Sequence, residues 1–178
     1  MRKLLPLFAL LLMLPLCAAA QDVSALDVCV LTPIAFGAVE EGGTPALYCG
    51  PTQGSYRVGE QTLDLSKPYV FFGQSDCWAM VAQGTPDAFG PVGWVESALL
   101  YALPDAPELS FDNALSAMVE EDASVTNDPL GEGGAPWDTT LARGTDVIVL
   151  ASFGDWLYVQ TEIAGAPARV FIPAGAIL

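Results

Sequence analysis

The fold is decided by the stretch YVFFGQSDCWAMV, which occupies residues 69–81. It begins with β-branched and aromatic residues, passes through a turn of small and polar residues, and resumes with apolar residues at alternating positions. This pattern is typical of two β-strands that each place one face in a core. The stretch VIVLASFGDWLYV, residues 147–159, repeats the pattern. The sequence therefore predicts two similar strand pairs.

Both stretches belong to an internal repeat with one constant offset, because residues 51–100 align with residues 129–178 without a gap. A period of this length exceeds that of solenoid units, so each copy is expected to be a complete small domain. The identical pairs include Pro51 with Pro129, Thr62 with Thr140, Leu63 with Leu141, Trp78 with Trp156, Val81 with Val159, Ala98 with Ala176, and Leu100 with Leu178.

The predicted fold class is all-β, with two tandem small barrels after a signal peptide. Short strands punctuated by Gly and Pro indicate a sandwich or a barrel, and roughly 70 residues per copy favour a small barrel. The first copy is predicted to span residues 27–102 and the second copy residues 107–178, with the boundary near Ala106 in a proline-containing connection. One exception is Phe111 to Glu121, where the apolar spacing suggests a helical turn.

Residues 1–20 have the pattern of a secretory signal peptide. Two basic residues, Arg2 and Lys3, precede an apolar run from Leu4 to Leu16, and small residues follow at the expected cleavage site before Gln21. We expect a secreted or extracytoplasmic protein without a membrane span. The alternative is a lipoprotein anchored through an acylated Cys17, although bulky Leu16 lies where a small residue is expected.

The chain is strongly acidic, with six basic and 21 acidic residues. Removal of the signal peptide would leave four basic residues and a formal charge of −17. Such a charge repels phosphate backbones and anionic lipid surfaces, so nucleic-acid binding is not expected. A role in keeping an exported protein in solution is the simplest explanation of the charge, and a cationic partner is the alternative.

Each copy resembles a bacterial Src-homology-3-like domain, a small exported β barrel that often occurs in tandem near cell walls. The opening of that family's motif resembles Ala46 to Pro51 followed by Tyr56 and Val58, its middle resembles Leu63 to Val81, and its ending resembles Gly93-Trp94-Val95. The second copy keeps the middle in residues 141–150 and 154–159. It departs at both ends, where Asp128 replaces the glycine before Pro129, Gly134 aligns with Tyr56, and Phe171-Ile172-Pro173 replaces Gly-Trp-Val.

The sequence contains no histidine, which excludes Ser-His-Asp and Cys-His catalysis and every His-containing zinc site. Two barrels of this size also offer no obvious cleft for a two-carboxylate glycoside hydrolase. We therefore expect a protein that is not an enzyme and has no cofactor or metal. The acidic stretch Glu120-Glu121-Asp122 lacks the ligand spacing of an EF-hand loop and is expected to be a solvated loop.

Three cysteines remain after the signal peptide. Cys49 aligns with Asn127 and Cys77 with Asp155, both polar, whereas Cys29 lines up near apolar Leu109. We predict a disulfide between Cys49 and Cys77 and a buried thiol at Cys29. Such a bridge typically stabilises a small domain by about 2–4 kcal/mol.

Aromatic residues are the candidate ligand contacts. Trp78 and Trp156 lie between alternating apolar residues and are predicted to be core. The candidate ligand-binding residues are Tyr56, Trp94, Tyr101 and Trp137, with burial in the core as the alternative for Tyr56, Trp94 and Trp137.

The resemblance implies an exported binding or adaptor module that recognises a cell-wall, glycan or peptide ligand. The alternative is a structural or protein-interaction spacer for another exported protein.

Overall fold

The computed structural model describes residues 23, 26–39, 42–100, 107–131 and 137–177. The predicted signal peptide, Cys17, Tyr101 and the boundary at Ala106 lie outside the described residues. Strands account for most of the regular structure, so the predicted all-β class is confirmed. The strands are β1 (Cys29–Val30), β2 (Ile34–Phe36), β3 (Tyr69–Ser75), β4 (Trp78–Thr85), β5 (Ala88–Glu96), β6 (Leu115–Met118), β7 (Ala123–Ser124), β8 (Thr140–Leu141), β9 (Asp146–Phe153), β10 (Trp156–Ile163) and β11 (Ala166–Pro173).

The two copies build matching antiparallel sheets. In the first copy the strand order is β2-β3-β4-β5, and in the second copy β6, β9, β10 and β11 follow one another in the same way. The small pair β7–β8 completes the second copy. No closed barrel is present among the strands that the structure describes, so the two tandem barrels stay a prediction. No helix of the described part is long and apolar enough to cross a membrane.

The helical turn predicted within residues 111–121 is wrong. Leu115 to Met118 form strand β6, which pairs antiparallel with β9 and places Leu115 opposite Val149. The apolar spacing misled because Leu115 and Met118 are exposed at a sheet edge rather than aligned on a buried helix face.

The leading segment of each copy pairs with the sheet of the other copy. Strand β1 runs parallel to β9, and the Leu31 N–H donates to the Ser152 carbonyl at 2.9 Å. At the equivalent position of the repeat, the Leu109 N–H donates to the Gln74 carbonyl at 2.7 Å, beside a parallel bridge between Gln74 and Glu108. The exchange is therefore reciprocal. The boundaries 27–102 and 107–178 stay a prediction, but the two copies are not independent of each other.

A close backbone approach makes one of these contacts possible. Gly73, in β3, has a φ of 146°, and a Cβ there would lie 2.5 Å from Leu109 Cγ and 3.0 Å from the Pro107 carbonyl oxygen. Only glycine combines this backbone conformation with the missing side chain that the incoming segment needs.

A second exchange occurs ahead of the repeated strands. The Cys49 carbonyl accepts a hydrogen bond from the Arg169 N–H of the second copy. The carbonyl of Asn127, the residue that aligns with Cys49 in the repeat, accepts one from the Val92 N–H of the first copy at 2.7 Å. Each copy thus crosses to the last strand of the other, and the described parts of the two copies are related by an approximate twofold arrangement.

Three hydrophobic clusters follow from this arrangement. One is almost entirely first-copy and contains Leu63, Phe71 and Val81, while another is mostly second-copy and contains Leu141, Val149 and Val159. The third, here called the shared core, lies between the two sheets. Its buried members are Leu31, Val70, Phe72, Trp78, Met80, Ala82, Phe89, Val92, Trp94, Leu109, Leu150, Ala151, Tyr158 and Phe171.

Candidate functional site

Two of the predicted ligand contacts come together, and they come from different copies. Tyr56 and Trp137 have ring centroids 5.5 Å apart with the planes tilted by 37°. Both side chains are half-buried. Paired aromatic rings with one face accessible are a common platform for stacking against sugars and peptides.

The backbone fixes both rings in place. The Tyr56 N–H donates to the Pro167 carbonyl of β11 at 2.9 Å, and the Tyr56 carbonyl accepts from the Cys49 N–H at 2.9 Å. The Trp137 N–H donates to the Val125 carbonyl at 3.0 Å. The pair therefore depends on the crossing of the two copies.

The aromatic pair lines a surface cavity of about 480 Å³, here called the groove. That volume lies within the range of small-molecule and peptide side-chain sites. The first copy and the second copy each supply half of the lining. The lining residues are Tyr56, Val58, Gly59, Gln61, Pro91, Asn127, Asp128, Trp137, Asp138 and Thr139.

Asn127 organises the polar side of the groove and is itself buried. Its Nδ2 donates to Gln61 Oε1 at 2.7 Å and to the Val92 carbonyl at 3.2 Å, and its Oδ1 accepts from Trp137 Nε1 at 3.2 Å. A buried amide with these partners is satisfied on both ends, so it holds the Trp137 ring and Gln61 in one arrangement.

Asp128 is the partly buried carboxylate of the groove. Burial raises the pKa of this carboxyl, while the backbone N–H groups of Gly131 and Leu130 act in the opposite direction. A Cβ on Gly131 would lie 2.8 Å from Asp128 Oδ2, so a larger residue there would displace the carboxylate. Asp138 adds a second, exposed carboxylate to the lining.

Sequence reasoning missed Asn127 and Asp128 as site residues. The signal was present in the repeat register, because Asn127-Asp128-Pro129 stands where the first copy has Cys49-Gly50-Pro51. Asn127 is a buried polar residue at the position that Cys49 occupies in the first copy. Such a replacement indicates a local polar network.

The structure places Trp94 differently from its predicted ligand-binding role. Trp94 is fully buried in the shared core, and its Nε1 donates to the Tyr158 hydroxyl at 2.7 Å. Its ring has no free surface on which a ligand could stack. The alternative of core burial is the correct one for this residue. Tyr101 lies outside the described residues.

The predictions for Trp78 and Trp156 have different outcomes. Trp78 is buried and contacts the Tyr48 ring edge-on at 5.5 Å, which confirms it as core. Trp156 is only half-buried, although it packs against the shared core.

The cysteines differ from the predicted bridge. Cys29, Cys49 and Cys77 are all free thiols, with Cys49 buried, Cys77 exposed and Cys29 between the two. Burial raises the pKa of the Cys49 thiol to about 12. The prediction assumed that Cys49 is exposed because Asn127 is polar, but Asn127 is buried too. The buried thiol is therefore Cys49 rather than Cys29.

The groove has no metal-binding pattern. Among the described residues, no group of three His, Cys, Asp or Glu side chains is placed to hold a metal ion. Asp128 and Asp138 are two carboxylates without a third ligand of this kind in the described part of the chain.

No protein-family model matches the chain, and no curated protein or solved structure matches it either. The resemblance to bacterial Src-homology-3-like domains therefore depends on the motifs quoted above. The chemistry of the groove follows from its own side chains.

Proposed function

We propose that this protein is an exported, non-catalytic binding or adaptor module whose cell-wall, glycan or peptide ligand occupies the groove. The observation that carries the proposal is the Tyr56–Trp137 pair at the wall of a cavity of about 480 Å³. Aromatic faces beside a few fixed polar groups are typical of binding sites for sugars and peptides. The matched strand sets support two tandem Src-homology-3-like domains as the finer description of the fold.

The non-catalytic part of the proposal depends on the side chains available. The whole sequence lacks histidine, and the described lining of the groove contains no serine or cysteine beside a base. Asn127 is engaged in hydrogen bonds that hold neighbouring side chains. Positioning of a ligand is therefore the chemistry that these groups support best.

The test is saturable binding to isolated cell-wall material and to peptide fractions from it. We expect Tyr56→Leu and Trp137→Leu to weaken retention at least tenfold, since each removes one stacking face. Trp156→Leu is the matched control, because Trp156 is also half-buried but lies outside the groove. Equal retention of all three variants would contradict the proposal.

A second candidate, a protein-interaction spacer, is favoured by one separate surface. Met118 and Ile148 are 54% and 38% exposed, and they lie on the same face of β6 and the adjoining β9. Exposed apolar side chains at an unpaired sheet edge are typical of protein contacts. A Met118→Lys/Ile148→Lys double variant should then lose a co-purifying exported protein that the groove variants retain. Loss of that protein from the groove variants alone would contradict the spacer function.

A further inference from the structure

The two charged residues in the described lining of the groove are both acidic. Its lining, among the residues that the structure describes, includes Asp128 and Asp138 but no lysine or arginine. The four basic residues beyond the predicted signal peptide lie elsewhere. Lys67 pairs with Asp64 at 3.0 Å, Arg57 lies over the Tyr48 ring at 5.2 Å, Arg169 lies over the Trp94 and Phe111 rings at 5.4 and 5.3 Å, and Arg143 is exposed.

The carboxylates share the groove with the aromatic pair. Rings of tyrosine and tryptophan attract a cation through their electron-rich faces, and the attraction strengthens where water is excluded. Asp128 Oδ1 is shielded from solvent and accepts no hydrogen bond from the residues that the structure describes. The groove thus combines two half-buried rings with the partly buried Asp128 carboxylate in its lining.

We propose that the groove selects a positively charged side chain, lysine or arginine, presented by a peptide segment. The inference rests on the proposed binding function and narrows its ligand. Charge complementarity carries it, because the lining supplies only negative charge and aromatic faces, and the chain beyond residue 20 has a formal charge of −17. A neutral sugar would stack on the rings and donate hydroxyl hydrogen bonds to the carboxylates, but it would leave both negative charges uncompensated.

The cavity fits this ligand class in size. A volume of about 480 Å³ accommodates one long side chain together with its flanking backbone. Gln61 and Asn127 are held to each other at 2.7 Å, so the polar wall is already ordered before the ligand binds. Pre-ordering lowers the entropy lost on binding.

The experiment is calorimetric titration of the chain from Gln21 onward at about 0.15 M salt, where long-range charge attraction is largely screened. The probes are tetralysine amide, tetraarginine amide, the same tetralysine with acetylated side chains, and a tetramer of N-acetylglucosamine. We expect binding of the two basic peptides and at least tenfold weaker binding of the acetylated peptide and the sugar.

The variants locate the binding. Asp128→Asn and Trp137→Leu should each weaken tetralysine binding at least fivefold, while Asp87→Asn, which removes an exposed carboxylate in the β4–β5 turn, should leave it unchanged. Circular dichroism checks that each variant is folded. Asp138→Asn provides a second carboxylate variant at an exposed position, should Asp128→Asn disturb the fold.

Three results would overturn the inference. An equal loss for Asp87→Asn and Asp128→Asn would indicate attraction to the overall charge alone. Tight, Trp137-dependent binding of the acetylated peptide or the sugar would leave the proposed function intact and refute the cationic ligand. A third result would refute both the cationic ligand and the proposed function. In it, Trp137→Leu changes neither the binding of any probe nor the retention of the protein on wall material.

Discussion

Each copy crosses to the last strand of the other at one residue, Cys49 in the first copy and Asn127 in the second. The two crossings have matching backbone hydrogen bonds but different side chains. At both, the carbonyl of the crossing residue accepts a hydrogen bond from the last strand of the other copy. In the first copy that residue is Cys49, a buried thiol followed by Gly50. In the second copy it is Asn127, a buried amide followed by Asp128.

The side chains facing these residues explain why only one crossing opens into a groove. Beside Asn127 the other copy contributes Pro91, which leaves a cavity of about 480 Å³. Beside Cys49 the position equivalent to Pro91 is Arg169, whose Nε donates to Gln160 Oε1 at 3.1 Å and whose guanidinium lies over Trp94. The cavity there is only about 150 Å³. Among the residues that the structure describes, the duplicated crossing has therefore left one large cavity and one small one.

The largest effect separates the two tryptophans that sequence analysis treated alike. Trp94→Ala should lower the free energy of unfolding by about 3–5 kcal/mol, because it empties part of the shared core and leaves the Tyr158 hydroxyl without its donor. Trp137→Ala should cost about 1–2 kcal/mol, since that ring is only half-buried. Urea denaturation of both variants measures the difference. Equal losses would contradict the difference in burial between Trp94 and Trp137.

That contrast marks what the sequence could and could not predict. Strands β3, β4, β9 and β10 follow from alternation and β-branched runs, because these patterns are local. The burial of Trp94 follows from the packing of two copies against each other, which a repeat register does not reveal. The groove could not be predicted for the same reason: Tyr56 and Trp137 belong to different copies, far apart in the sequence, and meet only because each copy crosses to the other.

The next effect tests the reciprocal exchange of leading segments. Leu31→Ala and Leu109→Ala should each lower the free energy of unfolding by about 2–4 kcal/mol, because both leucines are buried in the shared core at equivalent positions. We expect one cooperative transition in each variant, detected by both fluorescence and circular dichroism. The matched control is Leu99→Ala, which removes an exposed leucine and should cost less than about 0.5 kcal/mol. Separate transitions for the two copies would contradict the exchange.

A smaller effect distinguishes Cys49 from the exposed Cys77. Burial raises the pKa of the Cys49 thiol from 9.0 to about 12, so between those values the unfolded chain loses a proton that the folded chain keeps. The Cys49 contribution to stability is therefore complete below pH 9 and falls as the pH rises, by at most about 1.4 kcal/mol per pH unit.

Cys49→Ala should accordingly flatten the decline of unfolding free energy between about pH 9 and 10.5. Cys77→Ala provides the control, because it also removes one thiol, but an exposed one. The slope is measured by urea denaturation at several pH values. Two results together would instead support the predicted Cys49–Cys77 disulfide. The pH slope of Cys49→Ala would equal that of the wild-type chain, and both cysteines of the unfolded wild-type chain would resist alkylation.

The smallest effect concerns Asp128, which follows the crossing residue Asn127. Burial raises the pKa of the Asp128 carboxyl, so ionisation near neutral pH is costly in the folded state, and the cost disappears as the pH falls below the ordinary carboxyl range. Asp128→Asn should therefore raise the free energy of unfolding at pH 7 by about 0.5 kcal/mol, a value reduced by the partial exposure of the side chain. The gain should vanish near pH 3, where the native carboxyl is protonated.

A more stable variant that no longer binds tetralysine would show that Asp128 is retained for the ligand and not for the fold. A loss of stability at pH 7 would show instead that its hydrogen bonds to the Gly131 and Leu130 N–H groups outweigh the cost of burial.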